Sequence, residues 1–265
     1  MEEIRAAEIR GFEPDPLLAT KHGVHTSAGI QDGYKYAAPA IDTDAYMFWM
    51  RELVASKGCQ FVTAHVTGSL LEQEDKLLKQ HGANIIVNCA GLGSAELAAD
   101  TTVYPLRGAL IRVVNDGRRF PVVTQALVVA HDVKKREEDG GIVFIVPRND
   151  CTLILGGIAQ PHKHSLHLTV DSPEIRRMYD RCVRFVPGLA SARLDPETPL
   201  VQGLRPSRLD NVRVERETGR KNGAYSNIIH SYGHGGSGFT LSFGCASDVL
   251  GLVREIEAGI PPTPV

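Results

Sequence analysis

The segment "IIHSYGHGGSGFTLSFGCASDVLG", residues 228–251, decides the fold. A β-forming run, "NIIHSY", leads into four glycines within positions 233–238, and a helical pattern follows. A strand, a glycine turn and a helix in that order mark an α/β layer. Glycine costs chain entropy and is kept where backbone must approach something closely. The first turn of the helix also offers unpaired N–H groups and a partial positive charge, so an anion or a flat ring system can lie on it. A tight strand–helix crossover would need the same glycines without any ligand. Beyond the turn, Phe239, Phe243, Ala246, Leu250 and Val253 recur along one side, the side such a helix buries.

Upstream, "NIIVNCAGLGSAEL" repeats the logic. A short, continuous apolar run at 84–91 predicts a strand buried on both faces, followed by Gly91, Gly93 and a helix start. The third spaced glycine of a dinucleotide loop is missing, so a second, non-phosphate contact with the same ligand fits better. Before it, "DTDAYMFWMRELVASKG" predicts a helix capped by Asp42 or Thr43, with Tyr46, Trp49, Met50 and Leu53 on one face and Gly58 as the stop. "QFVTAHV" (60–66) alternates like a strand, and "SLLEQEDKLLKQHG" carries a capping box at Ser69 and Glu72 with Gly82 past its end. Residues up to about 40 are polar and turn-rich.

The middle of the chain reads differently. "LRGALIRVV", "VVTQALVVA", "GIVFIVP" and "CTLILGGI" are β-rich runs split by polar turns, which predicts antiparallel connections. "SPEIRRMYDRCVRFVPG" predicts a helix with Ser172 as cap and Pro173 in its first turn, and strands follow at 200–204 and 210–216. The expected architecture is mixed α/β: a partial α/β layer, residues 1–101 with 226–265, interrupted by a mostly antiparallel sheet over 102–225.

Composition narrows the function classes. The net charge of −2 over 265 residues, without a long basic run, leaves no electrostatic footprint for nucleic acid. No stretch approaches the ~18 apolar residues of a membrane span. Five cysteines (59, 89, 151, 182 and 245) show neither metal spacing nor a disulfide framework. The charged N-terminus lacks a secretory core, and "PPTPV" is not a peroxisomal address, so the expectation is a cytoplasmic protein. His162, His164 and His167 read as solvated loop histidines, and no metal is expected. In "GLRPSR", Pro206 fixes the backbone beside Arg205. Such an arginine can clamp a carboxylate with two parallel hydrogen bonds or form a surface salt bridge, and spacing leaves both open.

Three segments taken together, "ANIIVNCAGLGSAEL", "GLRPSRLDNVRVERE" and "IIHSYGHGGSGFTLSFGCA", resemble the D-amino-acid oxidase family, which includes D-aspartate oxidases. Their order and separations match, with "FIVP" and "LILGG" between them, and the similarity runs from about residue 24 to 258. The family is FAD-dependent. The resemblance implies oxidative deamination of a D-amino acid: hydride transfer from the substrate Cα to the flavin, reoxidation by O₂ to hydrogen peroxide, and hydrolysis of the imine to a 2-oxo acid and ammonia. It implies that residues 1–101 with 226–265 form the FAD-binding part and 102–225 the substrate-binding part.

By the same resemblance, Arg205, Gly236 and Phe144 contact the substrate, with Arg205 on its α-carboxylate. Val66, Ala90, Arg205, Gly235, Gly236, Gly238, Phe239 and Thr240 contact FAD. Phe144 stands where the family usually carries a tyrosine, and the loss of one hydroxyl weakens carboxylate binding by about 0.5–1.5 kcal/mol. The family begins with a strand and a Gly-x-Gly-x-x-Gly helix that holds the FAD pyrophosphate, and residue 1 of this chain lies after it. The expectations that follow are weak or no FAD retention by this chain, and a need for an N-terminal half or a homo-oligomer. The alternative is a truncated, non-catalytic remnant acting as an interaction module. A related glycine-type or amine oxidase is a third reading.

Overall fold

The computed structural model describes residues 7–30, 32–129, 142–221 and 224–263. The chain divides into two compact units, with boundaries at 61/62, 107/108, 160/161, 165/166 and 203/204, the second and last of these within the strands Val103–Val114 and Leu200–Arg208.

The first unit comprises 1–61, 108–160 and 166–203. Its sheet is antiparallel, as the β-rich runs predict: Leu127–Val128 pairs Phe144–Pro147, which pairs Thr152–Gly156, which pairs Val103–Val114. "VVTQALVVA" contributes only its two residues 127–128, and residue 130 of that run and residue 141 of "GIVFIVP" lie outside the described residues. Ile111, Val113, Ile145, Leu153 and Leu155 alternate to one face, and the helix Pro173–Phe185 covers them with Ile175, Met178, Cys182 and Phe185, all buried. Those four recur three to four residues apart, one stripe of a helix. Ser172 precedes this helix, but its hydroxyl accepts from the Thr169 N–H at 2.9 Å rather than from the first turn, and Pro173 starts the helix. Burial pushes the Cys182 thiol up to about 11, consistent with a core residue.

The helix Thr43–Ser56 belongs to this unit. Asp42 caps it, accepting from Asp44 N and Ala45 N at 3.2 Å each, and Gly58 follows it with φ of 89°. Its start is tied down by Arg112 on Asp44, Asn149 on Asp42 and Arg148 on the Ile41 carbonyl. Yet it buries no residue: of its predicted apolar face Tyr46, Met50 and Leu53 are half-buried and Trp49 is exposed, as are Met47 and Phe48.

The second unit comprises 62–107, 161–165 and 204–265. Its centre is the strand Ile228–Tyr232, which runs parallel to Ile86–Asn88 on one side and antiparallel to Arg213–Arg216 on the other. The capping signals of "SLLEQEDKLLKQHG" are realised in the helix Leu70–His81, where Ser69 accepts from Glu72 N and Gly82 closes the end with φ of 59°. A 3₁₀ turn at Gly91–Gly93 leads into one turn of helix at Ser94–Leu97, and the long helix is Gly238–Glu257.

Three expectations need correction here. "QFVTAHV" forms no strand, and Phe61 and Val62 are exposed, because no described strand lies beside it to complete a ladder. The strand at 84–91 shrinks to 86–88 and is not covered on both faces: Val87 is 41% exposed. The helix Gly238–Glu257 buries no residue at all, and Phe239, Phe243 and Leu250 of its apolar side stand in solvent. Each sequence pattern states which face is apolar; covering that face needs a partner. The long helix meets the strands Arg213–Arg216 and Ile228–Tyr232 with Cys245, Val249, Leu252, Val253 and Ile256 only half-buried, while Phe239, Phe243 and Leu250 stay exposed.

Candidate active site

In the second unit three segments converge, each built by a rule already visible in the sequence. The strand ending in Arg205–Arg208 carries the arginine. The strand Ile228–Tyr232 delivers the turn Gly233–Ser237, and the strand Ile86–Asn88 delivers Ala90 and Gly91. Their contacts are backbone to backbone. Gly235 N–H donates to the Pro206 carbonyl at 2.8 Å, and Ser207 and His234 form a bridge.

The glycines divide by what they face. Gly233 has φ of 86°, and a Cβ there would lie 3.0 Å from Arg208 Cβ. Gly235 has φ of 54°, and its Cβ would lie 3.2 Å from Ser207 Oγ. Gly91, at φ of 56°, would press a Cβ to 3.3 Å from Pro206. These three are required by conformation and by the strand 205–208 packed on them. Gly236 has no such conformational demand, and its Cβ would make only ordinary contact, 3.5 Å from Arg205 Cδ. Gly238 would meet nothing closer than His234 Cβ at 3.8 Å. Gly233, Gly235 and Gly238 also spell Gly-x-Gly-x-x-Gly between a strand and a helix, a spacing missed in the sequence reading. The first two of its glycines serve the chain's own packing.

Arg205 is half-buried, and burial pushes its guanidinium down from the ordinary arginine value, so its charge is held in a partly dehydrated place. The helix that begins at Gly238 has no side-chain cap from Ser237, leaving its first-turn N–H groups to whatever lies before them. Phe239 and Thr240 sit exposed in that first turn. The arrangement thus gathers Ala90, Arg205, Gly235, Gly236 and Gly238. Val66 is half-buried on the irregular segment before Leu70–His81, which Gly68 N–H ties to Glu96 at 2.6 Å. Phe144 lies in the other unit, half-buried on its strand opposite Gly156.

Below these loops runs a buried polar network that the motifs did not reveal. Asp100 accepts from Arg208 Nε (2.8 Å), Tyr232 OH (2.9 Å), and the Thr102 N–H and hydroxyl. Burial alone would raise the Asp100 carboxyl; the bonds from Thr102, Arg208 and Tyr232 outweigh it and hold it well below the carboxylate range. Tyr232 is pushed up to about 12, by burial first. Arg213 Nη1 donates to Tyr232 OH at 2.7 Å and its Nε to Glu215 at 2.6 Å. The available signal was alternation: His230 and Tyr232 are two apart on a buried strand, facing Glu215 and Arg213 across the ladder.

Among the described residues no helix is long and apolar enough to cross a membrane, and no cluster of His, Cys, Asp and Glu is placed to hold a metal ion.

The family model described as FAD dependent oxidoreductase matches residues 2–250. A D-amino-acid oxidase of Rubrobacter xylanophilus is 34% identical over 228 residues, covering 84% of this chain and 60% of that protein. A D-amino-acid oxidase of Dictyostelium discoideum is 33% identical, covering 88% and 57%, and the D-aspartate oxidase of Homo sapiens is 29% identical, covering 84% and 57%. The chain therefore spans somewhat more than half the length of these curated relatives. Among solved structures, a glycine oxidase of Bacillus cereus superposes with a TM-score of 0.50 at 16% identity, over 68% of this chain and 44% of that one, a likeness of fold.

Proposed function

The chain belongs to the family of FAD-dependent oxidoreductases, and on that premise we propose that it carries the substrate end of a flavin site for the oxidative deamination of D-amino acids. The observation that supports this most is the placement of Arg205 against the open backbone of Gly236, beside the uncapped start of a 20-residue helix. The residues present fit the ring end of FAD: Gly236 and Gly238 leave a backbone face bare, and the helix N-terminus suits negative charge. Ala90, Gly235, Phe239 and Thr240 border that face, and Val66 would serve the adenine side. FAD, when bound, would supply the acceptor for hydride from the substrate Cα and would pass the two electrons on to O₂, which is reduced to hydrogen peroxide.

The chain's own part is to bind and orient. The Arg205 guanidinium holds the α-carboxylate with two parallel bonds, which fixes the rotation of the amino acid and aims its Cα. Partial burial strengthens that attraction by keeping water off the charge. Arginine keeps its charge throughout, so no proton moves there. For Phe144 the resemblance alone implies a substrate contact, one without a hydroxyl. The functional division we propose, flavin on 1–101 with 226–265 and substrate on 102–225, follows the resemblance and not the compact units.

The test is peroxide production from D-alanine, D-aspartate and glycine with saturating FAD. The full chain is assayed alone and joined to the part of the R. xylanophilus relative that it does not span. Arg205→Ala should lose about 10- to 150-fold in kcat/KM, the factor of a charged hydrogen bond, and Arg205→Lys should not restore it. Full activity of the alanine variant removes the clamp. A second reading, a non-catalytic interaction module, is favoured by one observation: the apolar side of Gly238–Glu257 is uncovered. It predicts no peroxide in either format.

A further inference from the structure

His230 is 1% exposed and lies in the middle of the central strand, where an apolar residue would be ordinary. Its two ring nitrogens are both engaged: Nδ1 lies 3.2 Å from Asn88 Nδ2, and Nε2 lies 3.1 Å from Glu217 Oε2. The roles follow from Asn88. Its Oδ1 faces two groups that can only donate to it usefully, the Ala90 N–H at 3.1 Å and the Ser94 hydroxyl at 3.3 Å. The other end of that amide is therefore the NH₂ group, and it donates to His230 Nδ1. A nitrogen that accepts carries no proton, so the ring proton sits on Nε2 and is donated to Glu217. Glu217 is suited to receive it: its other oxygen accepts the Gly219 N–H at 2.8 Å, and the His230 bond comes first among the causes that hold the carboxyl down to about 2. The Tyr232 ring stands edge-on to His230 at 5.7 Å and fixes its plane.

The chain of bonds ends on the loop of the candidate site. Asn88 sets the Ala90 N–H, and Gly91, the next residue, packs on Pro206 beside Arg205. We propose that His230 is a positioning residue of the flavin site: as its Nε2–H tautomer it joins Glu217 to Asn88, and Asn88 holds the Ala90–Gly91 turn against Pro206 next to Arg205. The claim rests on the proposed flavin reading for its purpose and on the geometry for its mechanism, and the two separate by experiment. Glutamine can offer an acceptor and a donor in the same order as this tautomer; leucine offers neither. Asparagine-to-aspartate exchange at 88 keeps the acceptor for Ala90 and Ser94 and turns the donor facing Nδ1 into a second acceptor.

The experiment uses the full chain and the variants His230→Gln, His230→Leu and Asn88→Asp. Nitrogen-15 spectra of the His230 ring should show the proton on Nε2 alone in the parent and on both nitrogens in Asn88→Asp. Amide exchange at Ala90 should be about tenfold faster in His230→Leu, the factor carried by one ordinary hydrogen bond, and unchanged in His230→Gln and Asn88→Asp. Titration with FAD, followed by its fluorescence, should show about tenfold weaker binding in His230→Leu and recovery in His230→Gln. A proton on Nδ1 in the parent, or unchanged Ala90 exchange in His230→Leu, overturns the positioning role. Absence of FAD binding in every form, with the tautomer and exchange results as expected, overturns instead the flavin reading and the purpose assigned to the residue.

Discussion

Two helices of this chain each carry apolar side chains along one side, yet only one of them buries those side chains in the structure. Pro173–Phe185 lays Ile175, Met178, Cys182 and Phe185 into an apolar core, whereas Gly238–Glu257 buries nothing and leaves Phe243 76% exposed. An apolar stripe is a property of the helix, while burial is a property of the helix and a partner. The first unit supplies the partner as an antiparallel sheet with an alternating apolar face. The second unit is organised differently, with its central strand surrounded by a hydrogen-bonded network of Asp100, Arg208, Arg213, Glu217 and His230. One unit is fixed by packing and the other by polar pairing, and the candidate site lies on the second. Polar pairing aims groups more sharply than packing, at the cost of stability that depends on every partner being present.

That contrast can be broken most forcefully at Asp100. Asp100→Ala takes a buried carboxylate away from the half-buried Arg208 guanidinium and the buried Tyr232 hydroxyl, and should cost about 3–5 kcal/mol in denaturant unfolding. A loss below about 1 kcal/mol would mean that the network is incidental. The helices themselves are compared by truncation. Met178→Ala should cost about 2–5 kcal/mol, while Phe243→Ala should stay within about 0.5 kcal/mol. If Phe243→Ala proves as costly as Met178→Ala, the bare helix face is covered in solution and the contrast collapses.

A gentler test uses acid. The Glu217 carboxyl is held from an ordinary 4.5 down to about 2 in the folded chain, chiefly by His230. A depressed folded value stabilises above the unfolded one and is lost as pH falls between about 4.5 and 2. Glu217→Gln should therefore flatten the fall of stability with pH in that window, measured by unfolding at a series of pH values. An unchanged slope would show that His230 does not hold Glu217.

Local signals proved the most legible part of the sequence. Asp42, Ser69 and Gly82 act where expected because a cap is decided by its own side chain or φ and a neighbour three residues away. Residues 86–88 and 228–232 share one sheet, as two strand–glycine–helix segments read as parts of one α/β layer suggest; their direct parallel pairing was not read from the sequence. What could not be read was anything needing a distant partner. "QFVTAHV" alternates correctly but has no ladder, and the cover over Phe239 and Leu250 is not encoded in their periodicity. At the site, Arg205 and the glycine turn stood out by composition. Asp100, Asn88 and His230 did not, since each becomes meaningful only when strands more than a hundred residues apart are brought together. The glycines were legible as a group but not individually: that Gly233 and Gly235 answer to the neighbouring strand and Gly236 does not is a matter of which atoms lie opposite.

Gly236 therefore gives the most direct test of the account. A methyl group there meets Arg205 Cδ at an ordinary 3.5 Å and requires no unusual backbone, so Gly236→Ala should leave unfolding free energy unchanged or raise it by about 0.4–1 kcal/mol. The same methyl would stand beside Arg205, on the side where the substrate and the flavin ring are proposed to lie. In the chain joined to the part of its R. xylanophilus relative that it does not span, with saturating FAD and D-alanine, the variant should produce peroxide at least about tenfold more slowly than the parent, the factor of roughly 1.4 kcal/mol of lost transition-state stabilisation. Undiminished peroxide production by a stably folded Gly236→Ala protein would contradict the placement of the flavin and of the site built around it.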